Sequence, residues 1–251
     1  MPHTSDRSSA PSARAAAPLG PGRPRLVVAV DGPSGAGKST VSRELAQKLG
    51  SRYLDTGAMY RAVTLKALEE GRDLNDPDAI AGVLDGLCVE PGLDPVRPTI
   101  RLNGRDVSGE VRSATVTRAV SAVSAVPAVR AALVRVQRAA IEEASAIVVE
   151  GRDIGTVVVP DATVKVFLTA APDARAERRN LELRSRSGDA SLRGTAADLA
   201  RRDALDSGRP ISPLARADDA VEIDTTAMTA VEAVDTIMKL VRDRIADAAD
   251  R

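Results

Sequence analysis

The chain has 251 residues, of which 43% are hydrophobic and 28% charged, and this length allows one large core or a core with a smaller insert. Its 35 basic and 35 acidic residues cancel, so the composition gives no sign of a nucleic-acid or anionic-membrane partner, and no apolar stretch approaches the ~20 residues of a membrane span. His3 and Cys88 are the single residues of their kinds, which excludes an internal disulfide, a Ser-His or Cys-His pair and a histidine-based zinc site.

The first part of the chain alternates predicted strands with predicted helices. Residues 1–23 are rich in Ala, Ser, Pro and Arg without apolar periodicity, and we predict a disordered tail there. "RLVVAV" predicts a buried strand, and "KSTVSRELAQKLG" predicts a helix with one apolar face and a stop at Gly50. "SRYLDTGAMYRAVTLKALEEG" then predicts a short strand, a turn at Thr56–Gly57 and a helix that ends at Gly71.

A small antiparallel insert is predicted at about 87–108. It follows a helix that opens at Asp76-Pro77 and lasts to about Gly86. An Asn103-Gly104 turn lies between two short β-like runs of the insert, which is typical of a hairpin. Cys88, at the start of the insert, is expected to be a small buried hydrophobic residue.

The second part of the chain returns to long helices and buried strands. Helical patterns run from about Val111 to Ala144, with a break near Pro127. "SAIVVEGRD" and "ATVKVFLTA" predict two buried strands, and "PDARAERRNLELRSRS" and "AADLARRDALDSG" predict two arginine-rich helices. "AVEIDTT" predicts a last strand before a last amphipathic helix. Strands that alternate with helices in this way predict an α/β fold with a doubly wound parallel sheet.

Gly32–Ser39 match the pattern G-x-x-x-x-G-K-[ST] between a predicted strand and a predicted helix, the context that a phosphate-binding P-loop requires. The glycines let main-chain N–H groups approach a phosphate, and the helix N-terminus adds partial positive charge. Lys38 supplies a compact charge for the β- and γ-phosphates from a helix end expected to face solvent, and Ser39 is the expected Mg²⁺ ligand. The predicted residues that bind the ATP phosphates are Gly32, Pro33, Ser34, Gly35, Ala36, Gly37, Lys38, Ser39 and Thr40.

The P-loop alone does not define the reaction, because switch GTPases, small-molecule kinases and motor ATPases all contain one. The guanine motif N-K-x-D is approached only by "NGRD" at 103–106, which lacks the lysine, and "DVSG" at 106–109 overlaps it in the wrong order. Arginines follow the P-loop, some of them at turns and strand ends where a parallel sheet places its ligands, and phosphoryl transfer needs such cations on both sides of the moving group. They are Arg61, Arg130, Arg152, Arg175, Arg178, Arg179, Arg202 and Arg209.

Six stretches of the chain resemble the bacterial cytidylate kinases, a family of P-loop nucleoside monophosphate kinases. They are "DGPSGAGKST", "YLDTGAMYR", "DVSGEVR", "EGRDIGTVV", "VKVFLTA" and the "RRD…D.GR…PL" stretch, and the likeness covers roughly residues 25–245. "DTGAMYR" with "GRDIGT" separates this family from adenylate, guanylate and shikimate kinases. The resemblance implies a kinase domain at 24–248, with the P-loop at 32–39, a monophosphate-binding region with the insert at about 56–145 and a helical lid over ATP at about 173–206.

The resemblance also implies a role for individual residues. Tyr60 and Arg61 fall at the ribose and phosphate positions, and Ser121, Arg130 and Asp153 at positions that contact cytosine. The implied catalytic residues are Lys38, Arg152, Arg202 and Arg209. The implied CMP-binding residues are Thr56, Gly57, Tyr60, Arg61, Ser121, Arg130, Arg152, Asp153, Arg202, Asp206 and Arg209. Without the resemblance, Asp153 would be interpreted as a helix N-cap or a partner of Arg152, and Asp206 as an ordinary salt bridge.

The resemblance therefore implies an enzyme that transfers the γ-phosphoryl group of ATP to CMP or dCMP with Mg²⁺. Two alternatives stay open: a P-loop kinase selective for UMP or AMP, and a non-catalytic P-loop switch that only binds nucleotide. We expect a cytoplasmic monomer that binds ATP and CMP or dCMP, and neither nucleic acid nor a membrane.

Overall fold

A five-stranded parallel sheet with helices on both faces forms the centre of the protein. The computed structural model describes residues 25–187 and 191–249, so the tail predicted at 1–23 lies outside the described residues. The strands are β1 (Leu26–Asp31), β2 (Arg52–Asp55), β3 (Val89–Pro91), β4 (Ile100–Leu102), β5 (Arg105–Asp106), β6 (Ala146–Glu150), β7 (Val164–Thr169) and β8 (Val221–Asp224). The α-helices are α1 (Lys38–Leu49), α2 (Thr56–Glu69), α3 (Pro77–Ala81), α4 (Ala114–Ala125), α5 (Pro127–Glu142), α6 (Pro172–Ser187), α7 (Leu192–Ser207) and α8 (Ala230–Ala249).

The central sheet has the strand order β2-β6-β1-β7-β8, and each neighbouring pair is parallel. β1 lies in the middle, where Val28 is aligned with Val148 of β6 and Val164 of β7. Parallel neighbours must be joined by crossover connections, and the helices supply them. The predicted doubly wound α/β fold is confirmed.

The two faces of the sheet support two separate apolar cores. Val27 and Ala29 of β1 pack with residues of α2, α4 and α5 on one face. Val28 and Val30 pack with residues of α1 and α8 on the other. A strand that is buried on both faces reads as a continuous apolar run, which is why "LVVAV" shows no alternation of polar and apolar residues.

The predicted insert is a three-stranded antiparallel sheet, β3-β4-β5. Asn103 and Gly104 have φ values of 50° and 78°, the left-handed conformations that a two-residue hairpin turn requires. The expectation that Cys88 is buried is wrong, because its side chain is exposed. Val89 points into the core at this end of β3, so the alternation of a strand turns its neighbour Cys88 outward.

Helix α2 begins directly after β2, without the separate turn that the sequence predicted at Thr56–Gly57. Asp55 is its N-cap, and Asp55 Oδ1 accepts a hydrogen bond of 2.9 Å from the main-chain N–H of Ala58. Thr56 and Gly57 therefore form the first turn of the helix. α3 begins at its predicted position, where Asp76 caps it in the same way.

The predicted break between the two long helices of the second part is present at Pro127. Pro127 is the first residue of α5, a position that suits proline, and Val126 separates α5 from α4. Within the part of the chain that the structure describes, no single helix is long and apolar enough to cross a membrane. Among residues 25–187 and 191–249, one bent pair, α4 with α5, reaches that length and composition together, with a bend of 96° between the two helices.

Candidate active site

A cleft of about 840 Å³ opens at the carboxyl ends of β1, β2 and β6. It is lined by most of the residues that the sequence predicted for the two nucleotides: Ser34, Gly35, Ala36, Gly37, Lys38, Ser39, Thr40, Thr56, Gly57, Tyr60, Arg61, Ser121, Arg130, Arg152, Asp153, Arg202, Asp206 and Arg209. Gly32 and Pro33 do not line it. Gly32 instead packs against β7, where a Cβ would come 2.0 Å from the carbonyl oxygen of Leu168.

The P-loop between β1 and α1 provides the anion-binding end of the cleft. Gly35 and Gly37 have φ values of 81° and 86°, which L side chains rarely adopt. Gly37 is the N-cap residue of α1, and the first turn of this helix contains no acidic residue. The positive end of the α1 dipole and the main-chain amides of the loop are thus available to a phosphate.

Lys38 is buried, with 7% of its surface exposed, so the expectation that it faces solvent is wrong. Its side chain folds back over the P-loop, and Nζ donates a hydrogen bond of 2.7 Å to the carbonyl oxygen of Pro33. Burial lowers the pKa of Lys38, and the neighbouring Arg152 guanidinium lowers it further, although Glu150 and Asp31 oppose this effect. A bound anion would therefore stabilise the charged form of Lys38.

Ser39 and Tyr53 share one acceptor, the Oε1 atom of Glu150. The Ser39 and Tyr53 hydroxyls each donate to it over 2.8 Å. Glu150 is buried at the end of β6, and its Oε2 atom has no hydrogen-bond partner among the described residues. Burial raises the pKa of Glu150, and the charge of Asp55 raises it further. Hydroxyl and carboxylate oxygens are ligands that Mg²⁺ prefers, so Ser39 and Glu150 fit this ion.

Arg152 connects the two ends of the cleft. Its Nη2 atom donates to Ser34 Oγ of the P-loop over 2.7 Å, and its Nε atom donates to Asp206 Oδ2 of α7 over 3.1 Å. Asp206 Oδ1 in turn accepts a bond of 3.4 Å from Ser121 Oγ of α4. Residues predicted for ATP and for CMP thus belong to one hydrogen-bond network.

Arg130 and Asp153 form a buried ion pair at the far end of the cleft. Arg130 Nη2 donates to Asp153 Oδ2, and Arg130 Nη1 donates to the carbonyl oxygen of Ser124 over 3.2 Å. The Arg130 guanidinium lies over the ring of Tyr60, with 5.2 Å between Cζ and the ring centroid. The Tyr60 hydroxyl and Arg130 Nε are buried without a partner within the described residues. Donors and an acceptor therefore lie side by side, a pattern that can recognise a planar polar group.

Three further arginines give this end of the cleft a surplus of positive charge. Arg61 Nη1 donates to Thr117 Oγ1 over 2.7 Å. Arg202 Nε and Arg209 Nη2 are buried, and neither has a partner in the described part of the chain. Burial lowers the pKa of all three, and Arg152 lowers the pKa of Arg202 further. Guanidinium groups that crowd together in a buried site favour an anionic ligand.

Thr56 and Gly57, predicted as CMP-binding residues, differ in their contacts. Thr56 Oγ1 donates to the carbonyl oxygen of Glu150 over 2.7 Å and so joins the start of α2 to the end of β6. Gly57 is exposed at the wall of the cleft. Gly151 makes this junction possible, because a Cβ there would lie 2.8 Å from Thr56 Oγ1.

The two arginine-rich helices, α6 and α7, lie against the P-loop. Arg175 of α6 pairs with Asp203 of α7, and its Nη1 atom also donates to the carbonyl oxygen of Ser34 over 3.2 Å. Asp203 Oδ1 accepts a bond of 3.3 Å from the main-chain N–H of Ser34. Arg178 Nη2 donates to the carbonyl oxygen of Thr225 over 2.6 Å.

Among the carboxylates in or beside the cleft that received no role from the sequence are Asp31, Glu150 and Asp203. Asp31 and Glu150 are the last residues of β1 and β6. Their place at the carboxyl end of a buried strand was the signal that could have identified them, because ligands of parallel sheets bind there. Asp203 precedes Asp206 by three residues, a spacing that puts both on one side of a helix.

The fold and the cleft define a P-loop nucleotide-binding protein with room for a second anionic ligand. The family profile described as cytidylate kinase matches residues 28–243. The chain is 55% identical over 221 residues to the cytidylate kinase of Nocardia farcinica (strain IFM 10152), which covers 88% of this chain and 95% of that protein. It is 54% identical over 220 residues to the cytidylate kinase of Rhodococcus jostii (strain RHA1), with coverage of 88% and 96%. The chain belongs to the cytidylate kinase family, as the resemblance predicted.

The chain is also similar to solved structures at lower sequence identity. A shikimate kinase from Acinetobacter baumannii, solved in complex with shikimate, covers 87% of this chain and 94% of its own, with 15% sequence identity and a TM-score of 0.43.

Proposed function

We propose that the protein transfers the γ-phosphoryl group of ATP to the phosphate of CMP or dCMP. The Arg152 network carries this proposal, because it links Ser34 of the P-loop to Asp206 and Ser121 at the other end of the cleft. A kinase for nucleoside monophosphates needs its two nucleotide sites side by side, and this network would join the P-loop to residues proposed for the sugar and base of CMP. Membership of the cytidylate kinase family and the names of its relatives support CMP as the acceptor.

The P-loop end binds the triphosphate of ATP. The amides of the loop and the Lys38 ammonium contact the β- and γ-phosphates. Ser39 and Glu150 would hold Mg²⁺, which neutralises phosphate charge when bound. Two hydroxyl groups already bind Glu150 Oε1, so Oε2 is the carboxylate atom left for the ion and its water ligands.

The transfer step needs charge stabilisation more than proton transfer. An oxygen of the CMP phosphate attacks the γ-phosphorus in line, a new P–O bond forms, and the bond to the β–γ bridging oxygen breaks, which gives CDP and ADP. The attacking oxygen is already ionised at neutral pH, so a general base is not required. The catalytic residues in this proposal are Lys38, Arg152, Arg202 and Arg209, whose cationic groups stabilise the charge of the moving phosphoryl group.

The Arg130–Asp153 pair reads the base. The Asp153 carboxylate accepts from the N4 amine of cytosine, Arg130 donates to N3 or O2, and Ser121 contributes its hydroxyl. Uracil has an acceptor at O4 and a donor at N3, so it would present the wrong group at both atoms. A buried site that leaves polar groups unpaired with the wrong base discriminates strongly.

The remaining residues hold the sugar and phosphate of CMP and close the cleft. Tyr60 and Arg61 contact ribose and phosphate, beside Thr56 and Gly57, and Asp206 contacts the sugar. We assign the monophosphate-binding region to about 56–145 and the lid to about 173–206. The contacts of Arg175 and Asp203 with Ser34 support a lid that closes on the P-loop and excludes water as a competing acceptor.

The experiment is an ADP-release assay with ATP and each of CMP, dCMP, UMP, AMP and GMP as acceptor. We expect kcat/KM for CMP and dCMP to exceed that for UMP at least tenfold, which corresponds to about 1.4 kcal/mol. A preference for UMP or AMP would replace the proposal with one of the alternative kinases. The absence of turnover with every monophosphate would favour the non-catalytic switch.

The proposed location is the cytoplasm, since the reaction consumes ATP and the one cysteine suits a reducing compartment. The expected monomer stays a prediction, which sedimentation equilibrium would test.

A further inference from the structure

A short helix follows Asp153. Asp153 occupies the N-cap position of this helix, but its side chain does not accept a hydrogen bond from the helix. A π-helix runs from Ile154 to Val158, and Asp153 holds its N-cap position with φ −144° and ψ 27°. Asp153 makes no side-chain hydrogen bond to this helix and instead pairs with Arg130. The first N–H groups of a helix lack partners within it, and an aspartate at the N-cap is one of the best residues for accepting from them.

Asp31, 122 positions earlier in the chain, accepts these hydrogen bonds. The N–H of Ile154 donates to Asp31 Oδ1 over 2.9 Å, and the N–H of Gly155 donates to Asp31 Oδ2 over 2.8 Å. Asp31 is the last residue of β1 and has 5% of its surface exposed. The position of Gly155 is tight, since a Cβ there would lie 3.1 Å from Lys165 Cδ and 3.5 Å from Asp31 Oδ2.

We propose that Asp31 is a positioning residue that caps the π-helix in place of Asp153 and so leaves the Asp153 carboxylate free to face the base. This inference rests on the proposed role of Asp153 in reading cytosine. Asp31 also precedes the P-loop directly, but among the described residues its side chain bonds only to the segment that follows Asp153.

The two acceptor oxygens of Asp31 explain why a carboxylate is needed. An asparagine of the same size has one acceptor oxygen, and its NH₂ group would face a main-chain donor. One buried N–H would then lack a partner, and the nearest alternative acceptor along the chain is Asp153 at the N-cap position. Asp153 would be drawn from Arg130 toward the helix, and the recognition of cytosine would weaken.

The experiment is a double-mutant cycle of Asp31→Asn and Asp153→Asn, with kcat/KM for CMP and UMP and KM for ATP as readouts. We expect Asp31→Asn to reduce the CMP-to-UMP ratio about tenfold and to leave KM for ATP within about threefold. In the Asp153→Asn background the same change should not reduce the ratio further. Asp76→Asn is the matched control, because Asp76 caps α3 outside the cleft and its substitution should alter none of these values.

The possible results separate this inference from the proposed function. If Asp153→Asn keeps the full preference for CMP, the proposed reading of the base fails. If Asp153→Asn loses the preference but Asp31→Asn keeps it, or if the two effects add, only the role of Asp31 is overturned. An equal rise in KM for ATP and CMP would also overturn it, because it would indicate a general disturbance of the site.

Amide hydrogen exchange of the wild-type protein provides a second measurement, which remains valid if Asp31→Asn does not fold. The amides of Ile154 and Gly155 should exchange at least about 100-fold more slowly than amides of an unstructured chain. Protection of both supports capping by Asp31. Exchange at the unstructured rate at either amide would overturn the proposal.

Discussion

The two ends of the cleft are built in different ways. The P-loop end is one continuous segment, of which residues 34–40 line the cleft, and its main-chain amides and the start of α1 are available to a phosphate. The other end is assembled from side chains of α2, α4, α5 and α7 and of the segment after β6. A phosphate has the same shape in every nucleotide, so one local motif can bind it. A base differs from another by a few donors and acceptors, and its recognition needs side chains from several elements.

The side chains of the second end are also held in ion pairs with one another. Arg130 pairs with Asp153, and Arg152 pairs with Asp206. Removal of one partner of a buried pair leaves a charge without compensation, at a cost of about 3–5 kcal/mol. Substitutions at this end therefore need stability controls, whereas we expect a P-loop substitution to act mainly on phosphate binding.

The largest expected effect is at the P-loop end. Lys38→Met keeps a linear apolar side chain in a buried position but removes the ammonium that bonds to Pro33 and that we propose contacts the phosphates. We expect kcat to fall about 1000-fold or more, equivalent to about 4 kcal/mol of transition-state stabilisation. The measurement is steady-state turnover with saturating ATP and CMP.

Lys239→Met is the matched control for this change, because Lys239 is exposed on α8 away from the cleft. It should leave kcat unchanged. A folded Lys38→Met protein with a rate near that of the wild type would show that the P-loop lysine does not act on the transferred group.

A second prediction concerns Asp31, which connects the two ends. Burial raises the pKa of Asp31 from 3.8 to about 6, Asp153 adds to this effect, and Lys38 and the N–H groups of Ile154 and Gly155 oppose it. The folded state binds this proton more tightly than the unfolded state. The stability that Asp31 contributes is thus fully present below about pH 4 and is lost as the pH rises through about 6.

Urea unfolding of the wild type and of Asp31→Asn between pH 4 and pH 7.5 measures this effect. The free energy of unfolding of the wild type minus that of the variant should fall by up to about 3 kcal/mol over this range. A difference that does not change with pH would mean that the carboxylate titrates at its ordinary value and that burial does not affect it.

The fold could be predicted from the sequence where the signal is local. The continuous apolar run of β1, the proline that begins α5 and the Asn103-Gly104 hairpin turn each depend on neighbouring residues alone. Cys88 shows where this fails. A single cysteine has no periodicity, and only the pairing of β3 with β4 decides which side of the strand faces the core.

In the candidate site too, local features could be predicted from the sequence, whereas long-range contacts could not. The P-loop was evident from its pattern, but the burial of Lys38 depends on a side chain that folds back over the loop. The bond of Asp31 to Ile154 and Gly155 joins positions more than 120 residues apart, and no local pattern indicates it. The family resemblance identified Asp153 and Arg130 as site residues, but only the structure shows that they form an ion pair.

The smallest expected effects come from two aspartates of α7. They lie at opposite ends of the cleft, so their substitution compares the two ends directly. Asp206 contacts Arg152 and Ser121 at the monophosphate end. Asp203 contacts Arg175 and the main-chain N–H of Ser34 at the P-loop end. The same change to asparagine keeps the shape of each side chain and removes its charge, and we expect each variant to affect one substrate alone.

Asp206→Asn should raise KM for CMP about tenfold and leave KM for ATP within about twofold, since a hydrogen bond to a charged group contributes about 1.5–3 kcal/mol. Asp203→Asn should raise KM for ATP about threefold, a smaller effect because Asp203 is partly exposed. Asp198→Asn, on the exposed face of the same helix, should change neither KM. If both Asp203→Asn and Asp206→Asn raised both KM values equally, α7 would act as one rigid unit, and the two ends of the cleft could not be treated as separate binding sites.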